Sequence, residues 1–535
     1  MKNPLPLVGL GLLLACFAFS AARLFLRPTA PLRAAGDVVH LRFAHVTLHE
    51  GVVAAYDEAA REYERLNPGV RVEQILVPLK LWPSWLRTQM IGGTAPDIAD
   101  MDRGHGDEFV ARHFLPLGAW TEQPNPYNAG TALEGVAWRD TFIDGLSNAP
   151  AYRPAMQQVY GIPHAVGISR VFANADLLRT INGTIEPPRD YAAFMALCAR
   201  IRAYAQKHGL PLVPIAGSQG HAPPILRHLF SSQTQRLALE INPYKSLETV
   251  PRDVALAYLR GDWRWDRPAV LAGAGIVGEV GRQFVAGFSQ LRREDSMLHF
   301  AQGRAVMLAT GSWEADTVRL QAPFELAVFE VPVPGRDDPR FGRNVLGPVS
   351  ELGVPPANAM GVSRSSPHAE RAVDFLRFLT SLPGAQRATA RGNRLSSVLG
   401  VVSPPEMEAF APLEEGWPAG FSCELTGVAP GGGGECVRVY QSHFHELVGP
   451  RGSPERFARA MDRDFEAAVR ADLSAALADG LRNSRTDDGA LVGFRFSGDP
   501  SDAARASRLL EGQTFRELEA AQIRYGLRHW GSAAR

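Results

Sequence analysis

Residues 66–98 read LNPGVRVEQILVPLKLWPSWLRTQMIGGTAPDI, and this stretch decides the fold class. Asn67-Pro68-Gly69 closes a helix, because proline cannot continue the hydrogen-bond ladder and glycine accepts the left-handed turn that follows. Val70 to Val77 is a β-rich run, and an aromatic-bearing helix comes after it. Gly92-Gly93-Thr94-Ala95-Pro96-Asp97 is too small and too glycine-rich for a core. It reads as a tight turn that delivers a strand, Asp97 to Ala99, to the edge of a cleft.

Upstream, Val38 to Val46 alternates as a strand does, and His49 to Leu66 sets Val52, Tyr56, Ala59, Tyr63 and Leu66 on one helical stripe. With Val70 to Val77 this makes a β-α-β unit with a right-handed crossover. Ligands in open α/β sheets lie beyond the carboxyl ends of the strands. That rule places His45, Thr47 and the turn residues Asp102, Arg103 and His105 at the mouth of a cleft.

Downstream, the chain becomes turn-like near Asn148 to Pro154, where a first crossover to a second lobe is expected. Tyr160-Gly161-Ile162-Pro163 and Phe172 to Leu177 follow, and Asp190 is a helix N-cap with Phe194, Leu197, Cys198 and Ile201 on the buried face. Phe300-Ala301-Gln302-Gly303-Arg304-Ala305-Val306-Met307 through Gly311-Ser312-Trp313 reads as a helix end, a buried strand over Ala305 to Ala309, and a turn displaying an indole. Phe329 to Gly335 suits the strand after it. Ser366 and Pro367 open a helix that turns Ala372, Phe375, Leu376 and Leu379 inward. Ser453-Pro454-Glu455 opens another, with Phe457, Met461, Phe465 and Val469 aligned. The last stretch is polar and then helical from Ala503 to Arg528.

These runs resemble the extracellular solute-binding proteins of sugar-uptake ABC transporters, the maltose-binding type. In that family N-P-G-hydrophobic-x-V, G-G-T-A-P-D, Y-G-I-P with Y-N-K-D-L, and F-x-x-G-x-A-x-M with G-x-W recur. The resemblance covers roughly residues 38–480 and implies an α/β, two-lobed periplasmic binding protein-like fold of type II, its lobes joined by hinge crossovers. The implied division is 1–36 as signal peptide or membrane anchor and linker, 37–148 plus 356–398 as the first lobe, and 149–355 plus 399–480 as the second. Residues 481–535 form an extra C-terminal helical segment with no family counterpart.

Composition bounds the function. The chain has 535 residues, enough for more than one core, and 56 basic residues balance 56 acidic ones. No basic stripe recommends nucleic acid. An uncharged run from Asn3 to Ala22 follows Lys2 and places the body outside the cytoplasm. Three readings of it stand side by side: a cleaved signal ending near Ser20-Ala21-Ala22, a lipobox with lipidation at Cys16, and an uncleaved membrane tether. Cys198 sits on an apolar helical face as a buried thiol. Cys423 and Cys436 flank a glycine-rich loop and are expected to form a disulfide in an oxidising compartment.

Sugar recognition needs aromatic faces for C–H patches and planar polar groups for hydroxyls. Trp313 is the expected platform, while Trp82 and Trp85 suit packing, and Trp263 and Trp265 suit either the cleft rim or a surface wrap. The family's cleft aromatics fall on Met101 and Ala173 here, so His164, Ser169 and Arg170, with His45, are expected to supply polar or anionic contacts. Asp102, His105, Asp107, Glu108 and His113 match no metal-site spacing, and Gly431 to Gly434 lacks the lysine of a phosphate loop. No metal, cofactor or catalytic residue is expected. The resemblance implies capture of a small hydroxyl-rich solute (sugar, oligosaccharide or polyol) for an ABC permease, or else a ligand-sensing subunit that reports occupancy to a membrane receptor.

Overall fold

The computed structural model describes residues 38–47, 50–101, 106–148, 151–153, 156–242, 249–354, 356–430, 433–485, 488–497 and 500–531. The apolar N-terminal run, with Cys16, lies outside them, as do Asp102, Arg103 and His105. Among the described residues no helix is long and apolar enough to cross a membrane.

The first sheet is built by the opening β-α-β unit. Strands β1 (Val39–Thr47) and β2 (Val70–Pro78) run parallel, with Val39 opposite Val70 and Thr47 opposite Pro78. Helix α1 (Glu50–Leu66) connects them and buries Val52, Ala55, Tyr56, Ala60 and Tyr63. The expected stripe therefore runs through Tyr63 but not to Leu66, which is exposed where the chain leaves the helix for the Asn67-Pro68-Gly69 turn. Helix α2 (Trp82–Gly92) ends on Gly93 at φ 69°, a left-handed conformation that glycine adopts without a Cβ clash. It leads to β3 (Ile98–Asp100), parallel to β1 through Phe43 opposite Ile98.

A second sheet comes from the middle of the chain. Strand β5 (Ser169–Asn174) is antiparallel to β7 (Ala305–Gly311), which is parallel to β6 (Val213–Ala216). Strand β8 (Leu326–Phe329) completes the order β8-β5-β7-β6. Every residue of β7 is buried, as its apolar run demands. The chain then returns to the first sheet as β9 (Met360–Val362), antiparallel to β3, giving the order β9-β3-β1-β2.

Two short strands join the sheets. Strand β4 (Ala165–Val166), which precedes β5, pairs antiparallel with β10 (Leu395–Ser396). Each sheet keeps its own core. Phe43, Tyr63, Trp138 and Ile162 pack with Phe375 and Leu376 in one, while Phe194, Leu229, Trp263 and Trp265 pack with Phe457 and Phe465 in the other.

Helix starts follow their caps. Asp190 Oδ1 accepts from the Ala193 amide at 2.7 Å, and Ser453 Oγ accepts from the Arg456 amide at 3.2 Å. The Ser366 cap is not formed. The helix begins at Ala369, because Ser366 Oγ is engaged with Asp97 and with the His368 amide.

The C-terminal segment is more helical than its polar composition suggests. One helix runs from Pro454 to Asn483, across the expected boundary, and others span Asp488–Phe496 and Pro500–His529. The last docks on the second lobe through Arg470, which donates to the Leu527 carbonyl at 3.0 Å, and through the Arg252–Glu519 ion pair.

Two expectations are corrected by packing. Trp263 and Trp265 neither rim a cleft nor wrap the surface: both are fully buried, and Trp263 Nε1 donates to the Val254 carbonyl at 2.9 Å. Cys423 and Cys436 form no disulfide and are free, buried thiols, as is Cys198. Burial pushes the Cys436 thiol up, and so does its hydrogen bond to Asp472, whose carboxylate also receives the Glu435 and Cys436 amides. That carboxylate caps the helix Glu435–His443 and draws the Cys436 side chain toward the helix of Asp472.

Candidate ligand cleft

The strand pair β4–β10 links the two sheets, and Gly51, just beyond the carboxyl end of β1, lies against Asp316, just beyond the end of β7. Ser169 pairs with Gly311 in that register, and the turn after Gly311 is pinned to the linking segment by two bonds. The Ser312 amide donates to the Ile168 carbonyl at 2.8 Å, and the Ile168 amide donates to Ser312 Oγ at 3.1 Å. Trp313 therefore hangs from a fixed turn. Its indole is half-buried and lies against Gly167 and Gly311, where a Cβ on Gly311 would collide with the ring and with the Ile168 carbonyl. Two glycines thus form a floor under the indole.

Across the link, Tyr56 of α1 is ringed by three basic side chains. His45 stands 4.9 Å from its ring centroid and His164 6.0 Å, both edge-on, and the Arg394 guanidinium lies over the ring at 5.1 Å. All three are buried. The ring nitrogens of His45 are occupied by the Val46 carbonyl at 2.9 Å and Gln74 Oε1 at 2.6 Å, and Gln74 in turn donates to Asp57. Burial lowers the His45 pKa against these bonds. His164 Nε2 has no partner, and burial, with Arg394 and His45 nearby, lowers its pKa to about 3.

The lobes also touch beside this cluster. Asn393, which ends the helix Leu382–Gly392 at φ 45°, donates from Nδ2 to Asp316 Oδ1 at 2.7 Å. Asp316 is three residues beyond Trp313, and its other carboxylate oxygen sits against Gly51 at the start of α1.

Of the residues expected at the site, Trp313 and Ser169 stand at the end of the second sheet, and Thr47 ends β1. Two have other work. His45 is spent within the first lobe, as above. Arg170 is buried in a bidentate pair with Glu351 at 2.7 and 2.8 Å, and it also donates to the carbonyls of Ala409 and Ala411. Its guanidinium has no free edge to offer a solute. Met101 is fully buried, packed against Gly361 and Gly161, so its place near the cleft is filled by core.

Sequence reading missed Tyr56 as a centre, and it missed Arg394, Asn393 and Asp316 altogether. Their signal was faint, because Arg391-Gly392-Asn393-Arg394 reads as an ordinary polar helix end. A cavity of about 650 Å³ lies along the edge strand β8 at the end of the second sheet where β5 begins, bordered by Arg170, Arg189, Glu330, Pro334 and Val349.

Residues 59–412, about two thirds of the chain, match the family described as bacterial extracellular solute-binding protein. A multiple sugar-binding protein of Streptococcus mutans is 20% identical over 341 residues, which is 62% of this chain and 70% of that protein. Among solved structures, a chitin oligosaccharide binding protein superposes with a TM-score of 0.56 at 19% identity, covering 81% of this chain and 100% of that one. The GacH receptor of Streptomyces glaucescens, solved unliganded and with acarbose, gives 0.52 at 15% identity, covering 81% and 99%. At these identities the structural likeness speaks for the two-lobed fold.

Proposed function

The chain belongs to the bacterial extracellular solute-binding proteins, and we propose that it captures a sugar or oligosaccharide between its lobes and delivers it to an ABC permease in the membrane. The observation that carries this reading is the half-buried Trp313 indole on its glycine floor, held at the strand ends where the two sheets meet. An aromatic face fixed in advance meets the C–H face of a pyranose at little ordering cost. The hinge pair β4–β10 and the Asn393–Asp316 bond support a closing motion in which solute supplies the differential contacts. The sugar-binding relatives support the choice of solute class. The apolar run before Arg23 supports a location outside the cytoplasm, with cleavage, lipidation at Cys16 and a retained tether still open. No catalytic role is assigned to any residue.

Sensing by the same fold is the second reading. It is favoured by the docked C-terminal helices, which leave Val492 at 58%, Phe496 at 88% and Leu518 at 66% exposure, a surface suited to a membrane partner. Thermal shift of the full chain against neutral and acidic oligosaccharides and polyols tests capture, because a ligand of the native state raises its melting temperature by mass action. No shift with any saccharide would overturn the carbohydrate reading. Removal of 488–535 separates the two roles. Transport in cells survives it if delivery is the function and the helices are an addition, and a signalling output is lost if they carry the message.

A further inference from the structure

Arg394 is a buried cation with no counter-charge among the described residues. It is 7% exposed, and no carboxylate among the described residues lies within ion-pair distance of it. Its Nε has no hydrogen-bond partner, and its one bond is from Nη1 to the Tyr56 hydroxyl at a long 3.4 Å. Asp316 accepts from the adjacent Asn393, and Asp57 accepts from Gln74, the partner of His45. A buried guanidinium held by one long hydrogen bond and the face of the Tyr56 ring, with its Nε unpartnered, is costly unless something completes it.

Its place in the fold names that ligand's position. Leu395 pairs with Val166 in the hinge, so one more step of register sets Arg394 against Gly167, the residue under the Trp313 indole. His164 faces the same Tyr56 ring as Arg394, and its buried Nε2 is also unpartnered. A planar guanidinium edge and one imidazole nitrogen, beside an aromatic platform, complement a carboxylate on a stacked sugar ring.

Resting on the saccharide-capture reading above, we infer that the cleft selects an acidic saccharide, a uronate whose carboxylate is taken by Arg394 and His164 while its ring meets Trp313. Opening about β4–β10 is what admits the carboxylate, and closure leaves the ion pair shielded from water. Charge-assisted bonds in such a setting are stronger than neutral ones. The unpartnered Nε of Arg394 is then the counterpart of that selectivity.

The test uses the full chain and two matched probe pairs: aldotetraouronic acid and digalacturonate, each beside its carboxyl-reduced neutral form. Calorimetric titration should give at least about a tenfold preference for one acidic member over its neutral partner. Arg394→Gln should abolish that preference and leave the neutral affinity within about twofold. Arg394→Met should not lower the melting temperature of the empty protein, since it removes an uncompensated buried charge. Equal or tighter binding of the neutral forms would overturn the acidic-saccharide inference and leave saccharide capture standing. No binding of any of the four would overturn both. Loss of folding in both variants would also overturn it, by making the guanidinium a structural group.

Discussion

Asn393 Nδ2 donates to Asp316 Oδ1 at 2.7 Å, and this bond connects a helix end of the first lobe to the short helix Ala315–Gln321 that follows the Trp313 turn. Because it is made by protein groups alone, this bond biases the relative position of the lobes independently of any contact a ligand makes. Asp316 also sits against Gly51, where a Cβ would press on the carboxylate, so the approach of α1 to the second lobe depends on that glycine.

Replacing Asp316 with Ala should shift the empty protein toward open forms and weaken solute binding about three- to tenfold, although Asp316 touches no solute in this scheme. The loss follows from a smaller population of the binding-competent state. Small-angle scattering of the empty variant should show a larger radius of gyration, while saturating solute should restore the wild-type value. An unchanged radius and affinity would show that the bond does not hold the lobes.

Trp313→Ala should cost about 1–3 kcal/mol of binding, as for aromatic stacking on other flat ligands. Its effect on stability should be small, because the ring rests half-exposed on Gly167 and Gly311 and leaves no enclosed void. A stability loss of about 3–5 kcal/mol, the size expected for a truncated core aromatic, would assign the ring to packing instead.

Stability should fall in mild acid because of His164. Its pKa is about 3 in the fold, held down by burial and then by Arg394 and His45, against about 6.5 in the unfolded chain. Above pH 6.5 both states are neutral and the residue contributes no slope. Below it the unfolded chain takes up a proton that the native state refuses, so stability drops as pH falls from about 6.5 toward 3, by about 2 kcal/mol at pH 5. His45, also lowered by burial, acts in the same direction. Urea titrations of wild type and His164→Gln should differ in this slope. Identical slopes would show that His164 titrates normally in the fold.

Alkylation without reductant should modify Cys198, Cys423 and Cys436 in denaturant and leave them almost untouched in the native protein. Burial pushes the Cys198 thiol up to about 12 and holds the other two thiols above the ordinary range, so little thiolate is present to react. A mass two hydrogens lighter, with Cys423 and Cys436 linked, would contradict the free thiols.

Arg170→Met should destabilise the fold by about 3–5 kcal/mol, since it strands Glu351 as a buried charge that is only 10% exposed along its side chain. Solute affinity, measured on the fraction that remains folded, should be unchanged. A selective loss of affinity with intact stability would return Arg170 to the ligand cleft.

Local patterns in the chain were enough for the elements and their order. Period-3.6 and alternating apolar residues marked α1, β1 and β2. Asn67-Pro68-Gly69 and Gly92-Gly93 fixed the punctuation, and Asp190 and Ser453 announced helix starts through their short oxygens. These signals act over a few residues, so a linear reading captures them. The end of the Phe300 to Trp313 run likewise placed the indole, because Gly311 and Ser312 leave room only for a turn. What a polar residue does was decided by partners far along the chain. Arg170 and Arg394 look alike in sequence, yet one meets Glu351, 181 residues away, and the other meets no carboxylate in the described structure. His45 faces the cleft by strand register but spends both ring nitrogens on Val46 and Gln74. Cys423 and Cys436 flank one loop, but Asp472 on a distant helix turns one of them away. Burial and charge compensation are properties of the packed interior, and only the tertiary structure assigns them.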